Sequence, residues 1–384
     1  MHILFITCNY PSKSLPIRGV FVQELVRTIA RSGIKCSVIN PVTIFDLRYG
    51  RVDPRVSFDY SINDNYIKVV RPRSVSFSNK RLFNYNTFHL TQKSYEWAVQ
   101  RALSDLDFFP SILCGHFLYP SGATAVRIGS MLGVPSVVAV GDSSLSGAES
   151  MGWRRAIQDF TTVSGVIAVS SVIKQSLIDH LKISEEKIAV FPNGVDLSRF
   201  FPRERFAMRK KYGFPNDKFI IVFVGHFDER KGPHRLLSAV SGMDNIGLVF
   251  IGAGKIPLIG KNILFKGALE HEKVPEMLSA ADIFVLPTLA EGSCNAIIEA
   301  MACGLPLVTS INEFNDDIID GNVAIRIDPK DVNEIRDAIV ELSNNRNLRN
   351  KMSSCALEKA KQFDISLRAE KIMQWLEELK KLSL

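Results

Sequence analysis

The sequence lacks several features that would place the chain in common classes of protein. Its six cysteines are scattered over 384 residues, and no two of them form a Cys-x-x-Cys pair. This spacing argues against a zinc site and for reduced thiols in the cytosol. No apolar run approaches the roughly 18–20 residues needed to span a bilayer. Residues 1–7 have no basic segment followed by a long apolar one, so we expect a core strand there and not a signal peptide.

Two nucleotide-binding fingerprints are also missing, and one half of the chain lacks excess charge. Neither G-x-G-x-x-G nor G-x-x-x-x-G-K-[ST] occurs, which counts against a standard dinucleotide site and against an NTPase.

Residues 201–384 carry 25 Lys and Arg against 25 Asp and Glu, whereas residues 1–200 carry 22 against 15. The whole net charge of +7 therefore lies in the first half. This asymmetry favours an anionic partner, either a membrane phospholipid, a polyphosphate-linked substrate or a nucleic acid, unless it is incidental surface charge.

Short apolar segments alternate with helix-type patterns along the whole chain. The composition, 46% hydrophobic and 23% charged, is globular, and the length favours two domains. Strands are predicted at 2–7, 35–40, 66–70, 112–116, 134–140, 165–169, 187–191, 219–225, 247–251, 262–266, 282–286, 305–309 and 323–326. Helices of the first half are predicted at about 20–32, 85–104, 121–132 and 170–181. The alternation predicts an α/β fold with two Rossmann-like, doubly wound parallel-sheet domains. We place these domains at 1–197 and 198–365, with a last helix, about 366–384, packing back on the first.

Two carboxylates with seven residues between them follow one predicted strand. The segment Glu291-Gly-Ser-Cys-Asn-Ala-Ile-Ile-Glu299 comes after strand 282–286 and leads into an apolar helix that stops at Gly304. Free N–H groups at a helix start bind phosphate, and a carboxylate among apolar residues needs hydroxyl or N–H partners. The pattern predicts a diphosphate at the helix start, Glu299 on a ribose and Glu291 near a sugar. The alternative is an acid that stabilises its own helix together with a solvent-facing glutamate.

Two further loops follow predicted strands of the second half. One reads Gly225-His-Phe-Asp-Glu-Arg-Lys-Gly232, and the other reads Gly252-Ala-Gly254. Ligands of parallel sheets bind beyond the carboxyl ends of the strands, where glycine permits close approach of a ligand. Arg230 and Lys231 are suited to neutralise a diphosphate, although a solvated basic loop would have the same composition.

Together with Pro192-Asn-Gly-Val-Asp196, these segments resemble the retaining glycosyltransferases of family 4. The glutamate pair is the most specific part of the resemblance, which is strong over about 190–365 and looser before it. It implies the GT-B architecture, in which the two domains face a central cleft. It also implies transfer of a sugar, with retention, from a nucleoside-diphosphate donor to a glycan or lipid-linked acceptor in cell-surface polysaccharide synthesis. UDP is the nucleotide expected from family frequency, and neither a cofactor nor a metal is expected.

The resemblance assigns roles residue by residue. Lys231 would bind donor phosphate, Glu299 the ribose and Glu291 the transferred sugar. His116, at the end of strand 112–116, matches the active-site histidine and would contact sugar or acceptor, so the catalytic set is Glu291, His116 and Lys231. The wider donor site would comprise Gly19, Gly225, His226, Arg230, Gly252, Gly267, Ala268, Ser293, Cys294, Asn295 and Ala296. Acceptor-side candidates are Asn9, Tyr10, Arg18 and Asp142.

The sequence departs from the family pattern at three places. His226 stands where the family has arginine after the first glycine of the loop, and histidine is a weaker, pH-dependent phosphate ligand. The glycine loop before the first helix has Gly19 alone where many members have two glycines. Asp142 lacks the histidine of the family's His-Gly-x-Asp run.

Basic and aromatic residues of the first half suggest a membrane surface. Family 4 enzymes of surface-polysaccharide pathways are often peripheral on the inner membrane, so we expect a cytoplasmic enzyme at an anionic bilayer. Trp153-Arg-Arg155 and segment 83–97 are candidate interfacial elements. The basic residues concerned are Arg71, Arg73, Lys80, Arg81, Arg154 and Arg155. Solvated surface residues explain the pattern equally well.

Three alternative functions remain at this stage. A nucleotide-sugar 2-epimerase or a phosphorylase would share the architecture. A nucleotide-sugar sensor, or a non-catalytic partner in glycan assembly, would bind UDP without transfer. A nucleic-acid binder is disfavoured, because the basic half alternates strand and helix and contains no recognised nucleic-acid module.

Overall fold

The computed structural model describes residues 1–16, 18–49, 53–60, 66–77, 79–82 and 85–382. The chain forms two compact units. The first unit comprises Met1–Phe191 and the residues from Arg368 onward, and the second comprises Pro192–Leu367. Residues 83–84 of the predicted interfacial segment and 383–384 of the predicted last helix lie outside the described residues.

The first unit is built on an eight-stranded sheet. The strands are β1 His2–Ile6, β2 Lys35–Ile39, β3 Val42–Thr43, β4 Val56–Tyr60, β5 Tyr66–Val70, β6 Arg73–Ser74, β7 Arg81–Leu82, β8 Tyr85–Asn86, β9 Ile112–His116, β10 Ser136–Val140, β11 Gly165–Ala168 and β12 Ile188–Val190. The helices are α1 Val20–Arg31, α2 Phe88–Ala102, α3 Ala123–Leu132, α4 Ser146–Met151, α5 Trp153–Asp159 and α6 Ser171–Leu181. The order of the main sheet is β12-β11-β10-β9-β1-β2-β5-β4, and β3-β6 and β7-β8 form small separate pairs.

The central strands of this sheet are buried from end to end. Every residue of β1, β9 and β10 is buried, as expected of parallel strands covered on both faces by helices. The strand order reverses between β1 and β9, and ligands of open α/β sheets bind at such a switch point. The carboxyl ends of β1 and β9 therefore mark where a ligand of this unit is expected.

The second unit contains a six-stranded, wholly parallel sheet. Its strands are β13 Phe219–Val224, β14 Ile246–Ile251, β15 Ile263–Gly267, β16 Ile283–Leu286, β17 Leu307–Ser310 and β18 Ala324–Ile327. Its helices are α7 Arg205–Tyr212, α8 Pro233–Ala239, α9 Val274–Ala280, α10 Asn295–Ala302, α11 Val332–Asn344 and α12 Arg346–Ala360. The order β15-β14-β13-β16-β17-β18 is that of a dinucleotide-binding Rossmann sheet, with its switch point between β13 and β16.

The last helix, α13 Ile365–Leu382, begins in the second unit and continues in the first. In the first unit, its Trp375 packs edge-on against Phe191, with ring centroids 6.0 Å apart. Among the described residues, no helix is both long and apolar enough to cross a membrane.

The predicted fold class is confirmed, because both units are α/β with parallel sheets. Five strands among the described residues were not predicted: β4, which adds an antiparallel edge to β5, and the short strands β3, β6, β7 and β8. The roles assigned to the two domains stay predictions.

Candidate active site

The two loops at the switch point of the second unit are joined by a backbone hydrogen bond. Residues 225–232 follow β13, and residues 287–294 follow β16, the neighbouring strand. The Leu289 amide donates to the Arg230 carbonyl over 2.8 Å. The fold thereby brings the predicted basic residues to the first glutamate of the pair.

Glu291 is held by three donors that all reach the same oxygen. Its Oε1 lies 2.6 Å from Lys231 Nζ, 3.0 Å from Arg230 Nη1 and 2.7 Å from Thr288 Oγ1. The Glu291 side chain is only 10% exposed. No described residue donates to Oε2, so this oxygen remains an acceptor for a ligand hydroxyl.

Lys231 is a buried cation. Burial disfavours its ammonium form, but the adjacent Cys294 and Glu291 outweigh that effect and raise the pKa of Lys231. The Cys294 thiol, 3.9 Å from Nζ, is itself neutral at pH 7, because burial raises its pKa to about 11. At neutral pH the charge of Glu291 therefore favours the ammonium form of Lys231. An ammonium has three donors, so it can hold Glu291 and still donate to a phosphate.

The first turn of α10 begins next to this ion pair. Cys294 is the residue that caps the helix, and Asn295 and Ala296 form its first turn, where backbone N–H groups have no partner within the helix. Ser293 is fixed by Asn193, whose amide donates to Ser293 Oγ over 3.1 Å. The side-chain oxygen Oδ1 of Asn295 is buried and has no hydrogen-bond partner among the described residues.

The second glutamate of the pair contacts a histidine that the sequence did not point to. Glu299 Oε1 lies 2.9 Å from His271 Nε2, and His271 Nδ1 lies 3.1 Å from Arg199 Nη1. Within the described residues, Glu299 Oε2 has no partner, as with Oε2 of Glu291. In both glutamates, Oε1 therefore contacts protein donors, and Oε2 can accept a hydrogen bond from a ligand.

Glycines at the ends of β13, β14 and β15 let the three strand ends approach one another. The Gly252 amide donates to the Gly267 carbonyl over 2.8 Å, and a Cβ on Gly252, whose φ is +145°, would clash with the Gly225 carbonyl. Close packing of these loops is therefore sufficient reason for glycine at 252. Ala268 follows β15 and is exposed, as is His226, which makes no hydrogen bond to the described residues.

In the first unit, three predicted residues meet beyond the end of β1. Gly19 precedes α1 with φ +73°, and a Cβ there would clash with the Asn9 carbonyl oxygen. Arg18 Nε donates to Asn9 Oδ1 over 2.9 Å. The glycine loop is thus packed onto the segment that follows β1.

A cavity of about 350 Å³ in the first unit is lined by two acceptor-side candidates, Tyr10 and Arg18. The Tyr10 hydroxyl donates to Asp59 over 2.7 Å, so it is already engaged by the protein. Arg73 and several hydroxyl side chains also line this cavity. Asp142 lies elsewhere, in a second cavity of about 360 Å³ whose lining includes Ser143, Ser144 and Ser146. The protein around Asp142 raises its carboxyl pKa to about 6 through desolvation.

His116 ends β9 and is buried. Burial, and secondarily the positive charge of Arg368, lower its pKa to about 3. The imidazole is therefore neutral at physiological pH, and its Nδ1 has no hydrogen-bond partner among the described residues. A neutral ring with an available nitrogen can exchange hydrogen bonds with a substrate but is poorly suited to proton transfer near pH 7.

The predicted basic surface of the first unit needs one correction. Arg71 is only 5% exposed and donates to the Ser57 hydroxyl and to the Pro11 carbonyl, so it supports the interior and not the surface. Arg155 forms an ion pair with Asp159 at 2.8 Å, which reduces the local positive charge. Trp153 is 38% exposed and remains an interfacial candidate.

Sequence reasoning missed three residues of the second-unit site: Thr288, His271 and Arg199. Thr288 follows β16 and His271 follows β15, so position beyond a strand end was a usable signal for both. Arg199 lies in the segment between the two sheets, where no pattern marks it. In the part of the chain that the structure describes, no three His, Cys, Asp or Glu side chains gather in a way that could hold a metal ion.

Two family matches cover the chain, and the boundary between them lies close to the boundary between the two units. Residues 19–199 match the family described as Glycosyltransferase Family 4, and residues 204–359 match Glycosyl transferases group 1. The chain is 29% identical over 359 residues to TuaC of Bacillus subtilis, named as a teichuronic acid biosynthesis glycosyltransferase, and the alignment covers 88% of each protein. It is 28% identical over 227 residues to UDP-Gal:alpha-D-GlcNAc-diphosphoundecaprenol alpha-1,3-galactosyltransferase of Escherichia coli, covering 54% of this chain and 58% of that protein.

Solved structures agree on the fold. Sucrose-phosphate synthase from Thermosynechococcus elongatus superimposes with a TM-score of 0.79 over 99% of both chains, at 18% identity. Its likeness identifies the GT-B arrangement of two Rossmann-like domains. With the two family regions and the paired glutamates, the chain belongs to the family 4 glycosyltransferases.

Proposed function

We propose that this glycosyltransferase moves a sugar from a UDP-sugar to a hydroxyl of a glycan or lipid-linked acceptor, with retention at the anomeric carbon and without a metal. The observation that carries the proposal is the cluster of Lys231, Arg230 and Glu291 beside the first turn of α10. Two cations and a helix start can neutralise a leaving diphosphate, and a carboxylate with a free oxygen can accept a sugar hydroxyl.

The names of the relatives support the donor and acceptor classes. The Escherichia coli relative is named for UDP-Gal and for an acceptor on diphosphoundecaprenol, and TuaC is named for teichuronic acid biosynthesis. The cavity lined by Tyr10 and Arg18 in the first unit is our candidate for part of the acceptor site.

The proposed reaction needs no protein nucleophile. The bond between the anomeric carbon and the diphosphate oxygen breaks, and the acceptor oxygen forms its bond on the same face of the sugar. The acceptor proton passes to the departing diphosphate, whose negative charge Lys231, Arg230 and the α10 amides stabilise. Glu291 positions the sugar, and neutral His116 exchanges a hydrogen bond with sugar or acceptor. His116 is not assigned a proton-transfer step.

We also propose that the enzyme works at the cytoplasmic face of an anionic membrane. Exposed Trp97 and Trp153, together with the net positive charge of the first half, support this. Co-sedimentation with vesicles containing anionic lipid, compared with neutral vesicles, tests it. Equal recovery with both vesicle types would contradict it.

The function is tested by transfer assays on three variants. Lys231→Ala, Glu291→Ala and His116→Ala should each reduce transfer by about 10²–10³-fold, the usual loss when a group that stabilises the transition state is removed. Lys351→Ala, which removes an exposed lysine of α12, is the matched control and should retain wild-type activity. Circular dichroism verifies that each variant is folded.

Three further readouts separate the alternatives. The anomeric coupling in the NMR spectrum of the product reports retention or inversion, and transfer in EDTA reports metal dependence. Incubation of UDP-sugar without acceptor would yield the epimer if the protein were a 2-epimerase. Binding of UDP without transfer to any acceptor fraction would indicate a non-catalytic partner. Near wild-type transfer rates in all three alanine variants would overturn the assignment of these residues to the active site.

A further inference from the structure

The carboxylate of Glu299 is bound by the protein through one oxygen, and its other oxygen can accept a hydrogen bond from a ligand. Its side chain is 12% exposed, Oε1 contacts His271, and no described residue contacts Oε2. A carboxylate in such surroundings is costly unless its remaining oxygen gains a donor. Oε2 is therefore the one oxygen of the Glu299 carboxylate for which the described residues supply no donor.

Two hydrogen bonds of His271 indicate which of its ring nitrogens carries the proton. Arginine has only donors and stays charged, so Arg199 Nη1 must donate to Nδ1 of His271, 3.1 Å away. Nδ1 then carries a lone pair, and the proton of the neutral ring lies on Nε2. Nε2–H therefore donates to Glu299 Oε1 over 2.9 Å. Arg199 in this way selects the tautomer that can hold the carboxylate.

The histidine ring is also fixed by packing. Its centroid lies 5.1 Å from that of Phe200, which is fully buried. Arg199 is itself placed by Asp196, 3.6 Å from its Nη2. The chain Asp196–Arg199–His271–Glu299 thus joins the start of the second unit to the middle of α10.

We propose that His271 is a positioning residue for ribose recognition: its Nε2–H fixes Oε1 of Glu299 so that Oε2 accepts a hydrogen bond from a ribose hydroxyl of the donor. The inference rests on the proposed function, because the ribose role of Glu299 belongs to that proposal. Its consequence is specificity. A site that keeps an oxygen for one hydroxyl discriminates against the nucleotide lacking it. His271 should therefore set the preference for ribonucleotides over deoxyribonucleotides.

Three variants isolate this role. His271→Ala removes the donor, whereas His271→Gln restores an N–H group near the position of Nε2. Glu272→Ala alters the exposed neighbour in the same turn and is the matched control. Calorimetry first identifies which of UDP, GDP and ADP binds the wild type most tightly. That nucleotide is then compared with its 2′-deoxy and 3′-deoxy forms on all four proteins.

We expect the wild type and Glu272→Ala to favour the ribonucleotide by about tenfold over at least one deoxy form, the worth of one hydrogen bond to a charged group. In His271→Ala the ribonucleotide should bind about tenfold more weakly, and its advantage should fall towards unity. His271→Gln should recover most of the preference. In transfer assays, the alanine variant should raise KM for the donor more than it lowers kcat.

The nitrogen-15 spectrum of labelled histidines in the nucleotide-free protein reads the tautomer directly. We expect a protonated Nε2 and an unprotonated Nδ1 at His271, assigned by the loss of its signals in His271→Gln. The inference is overturned by the opposite tautomer, by unchanged discrimination in a folded His271→Ala, or by failure of glutamine to rescue. A wild type that binds none of UDP, GDP and ADP would overturn the proposed function as well. The calorimetry on the wild type alone gives that result.

Discussion

His116 lies in surroundings very different from water, because it is buried at the end of β9. Burial, followed by the nearby Arg368 charge, lowers its pKa to about 3, against an ordinary value near 6.5. The unfolded chain therefore binds a proton as pH falls through 6.5, whereas the folded chain does not do so until about pH 3. Folding stability is fully present above pH 6.5 and declines as pH falls below it.

This linkage gives a stability prediction. Between pH 7.5 and pH 5.0, His116 should cost the wild type about 2 kcal/mol of unfolding free energy, at 1.36 kcal/mol for each pH unit below 6.5. His116→Gln should lack that loss. Urea unfolding of both proteins at both pH values measures it. Asp142, whose raised pKa acts in the opposite direction, is present in both proteins and cancels in the difference. Equal pH dependence in the two proteins would contradict the neutral, buried histidine.

Residue type and position beyond a strand were enough to predict part of the second-unit site. Lys231 and Glu291 were predicted as separate ligand contacts, and the structure adds that they contact each other at 2.6 Å. His271 could not be singled out, because its importance comes from Arg199 and Glu299, which are distant in sequence. Tyr10 illustrates the same limit: its hydroxyl is engaged by Asp59, 49 positions away.

Helix α1 carries two glycines at its ends, and they differ in one respect. Gly19 and Gly33 both have a positive φ, +73° and +83°, and residues other than glycine rarely adopt such a backbone conformation. A Cβ on Gly33 would meet open space, whereas one on Gly19 would clash with the Asn9 carbonyl. The pair therefore separates the effect of backbone conformation from the effect of close approach.

Alanine at each site should give different results. Gly33→Ala should destabilise the protein by about 1 kcal/mol, the cost of the left-handed conformation, and leave transfer unchanged. Gly19→Ala should add a further 1–3 kcal/mol, roughly the cost of overpacking, and should reduce transfer because the glycine loop moves. Thermal unfolding and transfer assays measure both effects. Equal effects of the two substitutions would show that the contact with Asn9 is not tight.

Elements with a strong apolar pattern were predicted well, and those held by tertiary contacts were not. The buried strands β1, β9 and β13 were recognised because parallel strands read as continuous apolar runs. Strand β4 was missed because its sequence, Val-Ser-Phe-Asp-Tyr, is half polar. Its Asp59 is buried because Arg27, Tyr10 and Gln23 all donate to its carboxylate. The helix predicted from residue 85 begins at Phe88, because Tyr85–Asn86 pairs instead with Arg81–Leu82.

At the scale of the whole molecule, each unit has its own sheet and its own switch point. Acidic and basic residues balance in the second half of the sequence, yet the candidate donor site there concentrates Arg230 and Lys231 next to one carboxylate. Local geometry, and not net charge, therefore makes this site suitable for a diphosphate. The excess positive charge lies in the other half, where we propose the acceptor and the membrane surface.

Hydrogen exchange tests this division of roles in the intact chain. UDP at about 100 times its Kd should stabilise the protein that binds it by about 2.7 kcal/mol, which slows exchange about a hundredfold for amides that open only through unfolding. We expect the largest protection in segments 225–232, 267–271 and 288–299. These contain the loops after β13, β15 and β16 and the first turn of α10. Protection should disappear in Lys231→Ala at the same UDP concentration and persist in Lys351→Ala. Protection centred on the loop around Gly19 and the end of β9, with little in the second unit, would instead assign the nucleotide to the first unit and overturn the proposed roles.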